Sequence, residues 1–198
     1  QITISSLDIS RIDENGTAYM HLVQFTERSG EEVRDQLIAF EDSGFKNLIL
    51  DLRDNSGGLL SGAIEVASLF LPTDELIVSV RGRKKVQKRD FKSRKIKKFL
   101  NIPMIILLNE GSASASEIVA GALSKSKRAV LVGEKSFGKG SVQTIYPLDL
   151  GSGMKLTTAM YFFTDGSTIH ETGIEPDHPI PCSEENETKL RLQVYAKN

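Results

Sequence analysis

The sequence predicts an α/β domain on a largely parallel sheet, and three observations carry that reading. Apolar runs of strand length, such as Asn47–Arg53 and Met104–Leu108, alternate with segments of helical spacing. No apolar run approaches the ~20 residues of a membrane span. The 198 residues, 39% hydrophobic and 26% charged, suit one soluble domain with a real core.

Residues 2–10 are β-branched with loose alternation and read as a strand. Asp13-Glu14-Asn15-Gly16 forms a turn into a second strand, Thr17–Phe25, and the Asn-Gly pair favours a hairpin. Ser29 opens a helix with Glu31 and Glu32 in its first turn and Val33, Leu37 and Phe40 on one face. This helix stops near Gly44. Asn47–Arg53 reads as a strand buried on both faces. A helix follows Gly57-Gly58, turns Ala63, Val66, Ala67 and Phe70 inward, and ends at Pro72. Leu76–Val80 is a strand, and residues 81–98 form a basic segment within the domain. Strand Met104–Leu108, a small-residue helix over Ala115–Ser124 and strand Ala129–Val132 follow. Beyond Gly140 the pattern turns to β, with Ser141–Leu148, Met154–Phe163 and a tail near Thr168–Ile169.

The net charge of −1 hides an asymmetry: residues 81–98 carry +10 and the remainder −11. Such blocks usually form solvated loops. Only Phe91 and Phe99 interleave it, so no nucleic-acid partner is expected. Anion binding through this block is the reading that retention on heparin would test. The single Cys182 excludes an internal disulfide. The chain starts with Gln1 and reads as a processed or excised fragment.

The chemistry concentrates in Gly111-Ser112-Ala113-Ser114-Ala115-Ser116-Glu117 and in Gly138-Lys139-Gly140. Serine needs a base before it attacks a carbonyl, and a desolvated lysine can serve. His21, His170 and His178 have no comparable setting. Ser114-x-x-Glu117 also reads as a capping box, in which the serine only satisfies helix amides. Catalysis would use the same helix start differently, with the N–H of Ala115 stabilising an oxyanion. Gly133–Gly140 nearly matches a phosphate-binding P-loop. Gly140 replaces the magnesium-binding hydroxyl, however, and the residues after it are β-like, so that reading fails. Asp51–Gly58 leaves a strand and opens a helix. The amides of Gly57 and Gly58 would line a groove at the strand's carboxyl end and complete an oxyanion hole with Ala115.

Together these segments resemble the catalytic core of the carboxyl-terminal processing (tail-specific) proteases. The resemblance rests on Asp51-Leu52-Arg53-x-Asn55-x-Gly57-Gly58, Ser112–Ile118, Gly133-Glu134-x-x-Phe137-Gly138-Lys139-Gly140-x-Val142-Gln143 and Gly173-Ile174-x-Pro176-Asp177. It implies a Clp protease/crotonase-like fold built from ββα units, with additional β-strands near the C-terminus. It implies a serine endopeptidase without metal or cofactor, acting near the C-termini of protein or peptide substrates. Ser114 would be the nucleophile, Lys139 the general base and Gln143 the partner that orients the lysine. The family's habits also imply an extracytoplasmic location (periplasm or cell envelope), a PDZ domain in the full-length protein and room for a homo-oligomer. Residues 1–16 are too short for that PDZ domain, so residues 1–198 read as a single catalytic core with an N-terminal strand or linker. Thr164-Asp165-Gly166-Ser167 departs from the family's more usual Thr-Pro-x-Gly, and the basic segment lies outside its pattern. Two other readings stay open. One is a non-catalytic ligand- or peptide-binding module on the same fold; the other is a crotonase-like acyl-CoA enzyme, which would need paired acids at the site.

Overall fold

The computed structural model describes residues 5–83, 88–181 and 189. Strands β1 (Leu7–Ile12) and β2 (Thr17–Leu22) form the expected antiparallel hairpin. In its turn Asp13 Oδ1 accepts the N–H groups of Asn15 and Thr17 at 3.0 and 2.7 Å, and Gly16 takes φ 84°. Helix α1 (Ser29–Asp42) buries Val33, Leu37 and Phe40 and is capped by Ser43, after which Gly44 takes φ 69°. Then come β3 (Asn47–Asp51), α2 (Leu60–Phe70), β4 (Leu76–Gly82), β5 (Lys88–Lys92) and β6 (Met104–Leu108). The chain continues through α3 (Ala115–Lys125), β7 (Val130–Gly133), β8 (Ser141–Pro147), β9 (Gly153–Phe162) and β10 (His178–Pro179).

Two sheets result. One has the order β1-β2-β3-β6-β7-β10 and is parallel from β2 onward; the other, β5-β4-β9-β8, is antiparallel throughout. Leu48, Leu50, Ile106, Leu108 and Leu131 project from the parallel sheet into a core closed by α1, α2 and α3. The opposite face of that sheet is less covered. Ile49 is half-buried, while its register partner Ile105 and that residue's own partner Val130 are exposed, so β3 is not buried on both faces as its apolar run suggests.

Three expectations need correction. Residues 168–169 are not a strand; the last pairing is β10, which adds to β7 in parallel. The strand expected over residues 2–10 is β1, and residues 1–4 lie outside the described residues. The basic segment is not merely a solvated loop. Part of it is β5, and its later residues clasp the helices: Arg94 pairs with Glu65 of α2 and Lys97 with Glu41 of α1. Lys98 Nζ donates to Ser68 O at 2.7 Å and Ser93 Oγ at 2.8 Å. The clustered positive charge thus has a structural use; residues 84–87 lie outside the described residues.

Candidate active site

β3 and β6 are parallel neighbours in register Asp51↔Leu107, so the turns that follow them lie side by side at the carboxyl end of the sheet. Asn55 joins the two turns. Its buried carboxamide donates to Leu22 O (2.7 Å) and accepts the Gly57 N–H (2.9 Å), while its carbonyl accepts from Ala113 N–H (3.0 Å) and Ser116 Oγ (2.7 Å). Ser112 Oγ donates to Leu52 O at 2.8 Å and accepts the Asn109 N–H at 3.1 Å. Ser112 and Ser116 are therefore buried fasteners, and Ser114 between them is the half-buried hydroxyl residue of the run.

Ser114 has φ 56° and ψ −108°, a conformation that costs a side-chain-bearing residue roughly 1–3 kcal/mol. Close packing surrounds it. A Cβ on Gly57 would lie 2.9 Å from Ser114 Cβ and 3.0 Å from Ala115 N, so glycine is required there both for space and for its φ of 106°. Of the three amides expected to bind an oxyanion, Gly57 already donates to Asn55. Among the described residues the Gly58 and Ala115 N–H groups have no hydrogen-bond partner, although Ala115 is buried.

Sequence reasoning missed the centre of the arrangement. Glu117, fully buried, collects four donors: Oε2 accepts Ser114 N–H at 2.7 Å and Lys139 N–H at 2.9 Å, and Oε1 accepts Ser136 Oγ at 2.6 Å and Gly138 N–H at 2.7 Å. One carboxylate thus ties the serine turn to the lysine loop across 22 residues of sequence. The capping-box pattern named this residue, but only for its bond back to Ser114. The loop is pinned elsewhere too. Phe137 N–H donates to Ser112 O (3.0 Å), Glu171 N–H to Gly138 O (2.9 Å) and Ile174 N–H to Ser136 Oγ (2.8 Å). Gly173-Ile174-x-Pro176-Asp177 is therefore a brace behind the loop, and Asp177 also accepts the Leu131 N–H at 2.8 Å.

The side chains expected to form the catalytic group are not joined. Lys139 and Gln143 are both exposed, and no hydrogen bond links Ser114 Oγ, Lys139 Nζ and the Gln143 carboxamide. The water exclusion expected around a general-base lysine is absent here. Because the Gly138 and Lys139 N–H groups are both bonded to Glu117 and Gly140 O accepts from Tyr161, the freedom lies in the lysine side chain rather than in the loop's backbone.

At the end of β3 is a partly buried ion pair that sequence showed only as a motif. Arg53 Nε and Nη2 grip Asp51 at 2.9 and 2.5 Å, and Tyr19 donates to the same carboxylate at 2.7 Å. Burial, then the Asp51 charge, raises the Tyr19 phenol above its ordinary value, so it remains a donor. The Asp51 hydrogen bond in turn holds the Arg53 guanidinium above its own. Among the described residues no group of three or more His, Cys, Asp or Glu could hold a metal ion.

Comparison with known proteins now bears on this geometry. The sequence profile of peptidase family S41 matches residues 16–180. The chain belongs to peptidase family S41. It is 44% identical over 176 residues to a carboxy-terminal-processing protease of Bartonella bacilliformis, covering 85% of this chain and 40% of that protein. It is 39% identical to the carboxy-terminal processing protease CtpA of Bacillus subtilis, covering 95% and 38%. Among solved structures, the photosystem II D1 C-terminal processing protease superposes with a TM-score of 0.80 at 28% identity, over 91% of this chain and 49% of that one. The fold expected from the resemblance is the fold observed, and the chain spans about two fifths of the length of these two curated relatives.

Proposed function

We propose that this chain is the catalytic core of a serine endopeptidase that processes proteins near their C-termini through a Ser114/Lys139 dyad. One observation carries the reading. Ser114 sits strained at the start of α3 beside two unbonded amides, and its own N–H shares a carboxylate oxygen with the N–H of Lys139. In the reaction, Ser114 Oγ attacks the scissile carbonyl carbon while its proton passes to neutral Lys139 Nζ. The oxyanion is held by the amides of Ala115 and Gly58, and the new ammonium gives its proton to the departing amine. Water, deprotonated by the same lysine, then releases the acyl group. Gln143 orients Lys139 in the working arrangement. A bound substrate lying over Lys139 supplies the water exclusion that the exposed side chain lacks here.

The relatives' greater length is consistent with a PDZ domain that captures substrate tails elsewhere in the full protein, and the family's habit places that protein outside the cytoplasm. No described helix is long and apolar enough to cross a membrane. The test is cleavage of an unstructured peptide by the chain and by Ser114→Ala, with and without the preceding region of the full protein. Cleavage that survives in Ser114→Ala would overturn the assignment. Equal rates and equal tail preference with and without that region would show a self-sufficient core.

A further inference from the structure

The antiparallel sheet has two unlike faces. Side chains alternate along a strand, and opposite residues of paired strands share a face. Val78 and Tyr161 are buried and face the core. The registers Ser79↔Phe162 and Arg81↔Met160 put those residues on the other, outer face, and the pair Arg81↔Lys88 adds Lys88, Asp90 and Lys92. The Thr144 and Thr158 hydroxyls meet at 2.8 Å, so Tyr146, Met154 and Leu156 continue the same face. Gln143 and Ile145 alternate with these and lie on the opposite one.

The outer face has a cationic end and an apolar end. At the first, the Arg81 guanidinium lies 4.5 Å from the centre of the Phe162 ring, and its Nε is buried with no hydrogen-bond partner among the described residues. Arg81, Arg83, Thr158 and Phe162 line a cavity of 350 Å³ there. Lys88 pairs with Asp90 at 3.0 Å, whereas Arg81, Arg83 and Lys92 stand in no salt bridge among the described residues. At the other end Tyr146, Met154 and Leu156 are exposed, as is Leu148 beside Asp149 in the hairpin turn. β4 stops pairing at Gly82↔Ala159, while β8 and β9 run on to Pro147↔Gly153. The apolar hairpin therefore projects about 20 Å past the last β4 pair.

We propose that this face docks the protein peripherally on an anionic phospholipid membrane. Lipid phosphates sit against Arg81 and Arg83, and Lys88 and Lys92 add attraction. The Tyr146, Leu148, Met154 and Leu156 side chains enter the boundary between headgroups and acyl chains. A soluble polyanion would match the cations alone. An apolar end in the same plane calls for a partner that is anionic outside and apolar beneath. Gln143 and Ile145, on the opposite face, stay clear of the lipid. The inference is independent of the peptidase reading, and cleavage enters none of its readouts.

The test is co-sedimentation of the chain, and of the full protein, with two kinds of vesicle: equal parts phosphatidylcholine and phosphatidylglycerol, and phosphatidylcholine alone. Both proteins should bind the anionic vesicles about tenfold or more tightly than the neutral ones, and less so as salt rises. Arg83→Gln with Lys92→Gln, both solvent-facing, should weaken that binding about tenfold. Leu148→Ser with Met154→Ser should weaken it by a similar factor. Circular dichroism checks that each double variant folds. The chain has no tryptophan, so Leu148→Trp gives a single reporter whose emission should shift to the blue on anionic vesicles. Ile105→Trp, on the outer face of the parallel sheet, should not shift. If a double variant fails to fold, this pair of reporters decides. Equal binding to both vesicles, or binding that neither folded double variant weakens, would overturn the proposal. So would an unshifted Leu148→Trp together with release of the chain by polyglutamate, which would mark a surface for acidic polypeptide instead. Binding by the chain but not by the full protein would also overturn it, because another region would then cover this face.

Discussion

The turn that carries Ser114 and the strand that leaves Lys139 meet at one carboxylate but are held in opposite ways. Around Ser114 the polar side chains are buried and bonded: Asn55 spans both turns, Ser112 and Ser116 fasten them, and Glu117 closes the helix start. From Lys139 to Pro147 the chain is anchored at its start and along one side only, and Lys139, Gln143 and Ile145 face solvent. Under the proposed mechanism the difference separates two tasks. A nucleophile at Ser114 and its amide donors would need fixed geometry before substrate arrives. A base at Lys139 would need a dry environment, which the exposed side chain would acquire only when something lies over it.

The sharpest way to break this comparison is at the dyad. Ser114→Ala and Lys139→Arg should each lower peptide turnover on the order of 10³-fold or more, measured by steady-state cleavage. The arginine keeps charge and approximate length but does not deprotonate. A working Lys139→Arg variant would mean the exposed side chain is not the base.

Next is the oxyanion site. Replacing the Gly58 N–H with an ester oxygen by semisynthesis should cost about 10²–10³ in kcat. Proline there cannot be read cleanly: Gly58 has φ 139°, and a Cβ would lie 2.1 Å from Phe25 O. The same ester at Gly57 should affect stability more than turnover, because that N–H already serves Asn55.

Glu117→Gln tests the junction between the two regions. It leaves one oxygen and one NH₂ where four donors expect two anionic oxygens, and should cost about 3 kcal/mol or more in urea denaturation, with turnover falling alongside. If stability falls and turnover per folded molecule does not, Glu117 is a fastener only.

The smallest expected effects lie within the serine turn. Ser116→Ala should keep cleavage and lose about 1 kcal/mol with its bond to Asn55 O. Ser114→Gly should be about 1 kcal/mol more stable than Ser114→Ala, because glycine tolerates φ 56° and alanine does not. Equal melting temperatures would show that the turn stores no strain.

Much of this was legible in the sequence. The alternation of apolar runs and helical spacing showed α1, α2, α3 and the parallel strands other than β10, and the Ser114 and Lys139 motifs led to the same corner of the fold. What stayed hidden depends on contacts between distant residues. Tyr19 reaches Asp51 across 32 positions, and Glu117 reaches Lys139 across 22. Neither leaves a local pattern beyond a capping box and a charged strand end. β5 was missed because Lys88–Lys92 is too charged to read as a strand; antiparallel pairing with β4 overrides that preference. The exposure of Ile105 and Val130 was hidden because an apolar strand reads alike whether one face is covered or two.

The most direct test of the account is to trap the acyl-enzyme. The chain is mixed with a peptide ester, quenched within one turnover, digested and weighed. The account predicts an acyl adduct on the peptide containing Ser114, absent from Ser114→Ala and formed on the order of 10³-fold more slowly in Lys139→Arg. An adduct on another residue, or one that forms on Ser114 at the same rate in Lys139→Arg, would contradict it.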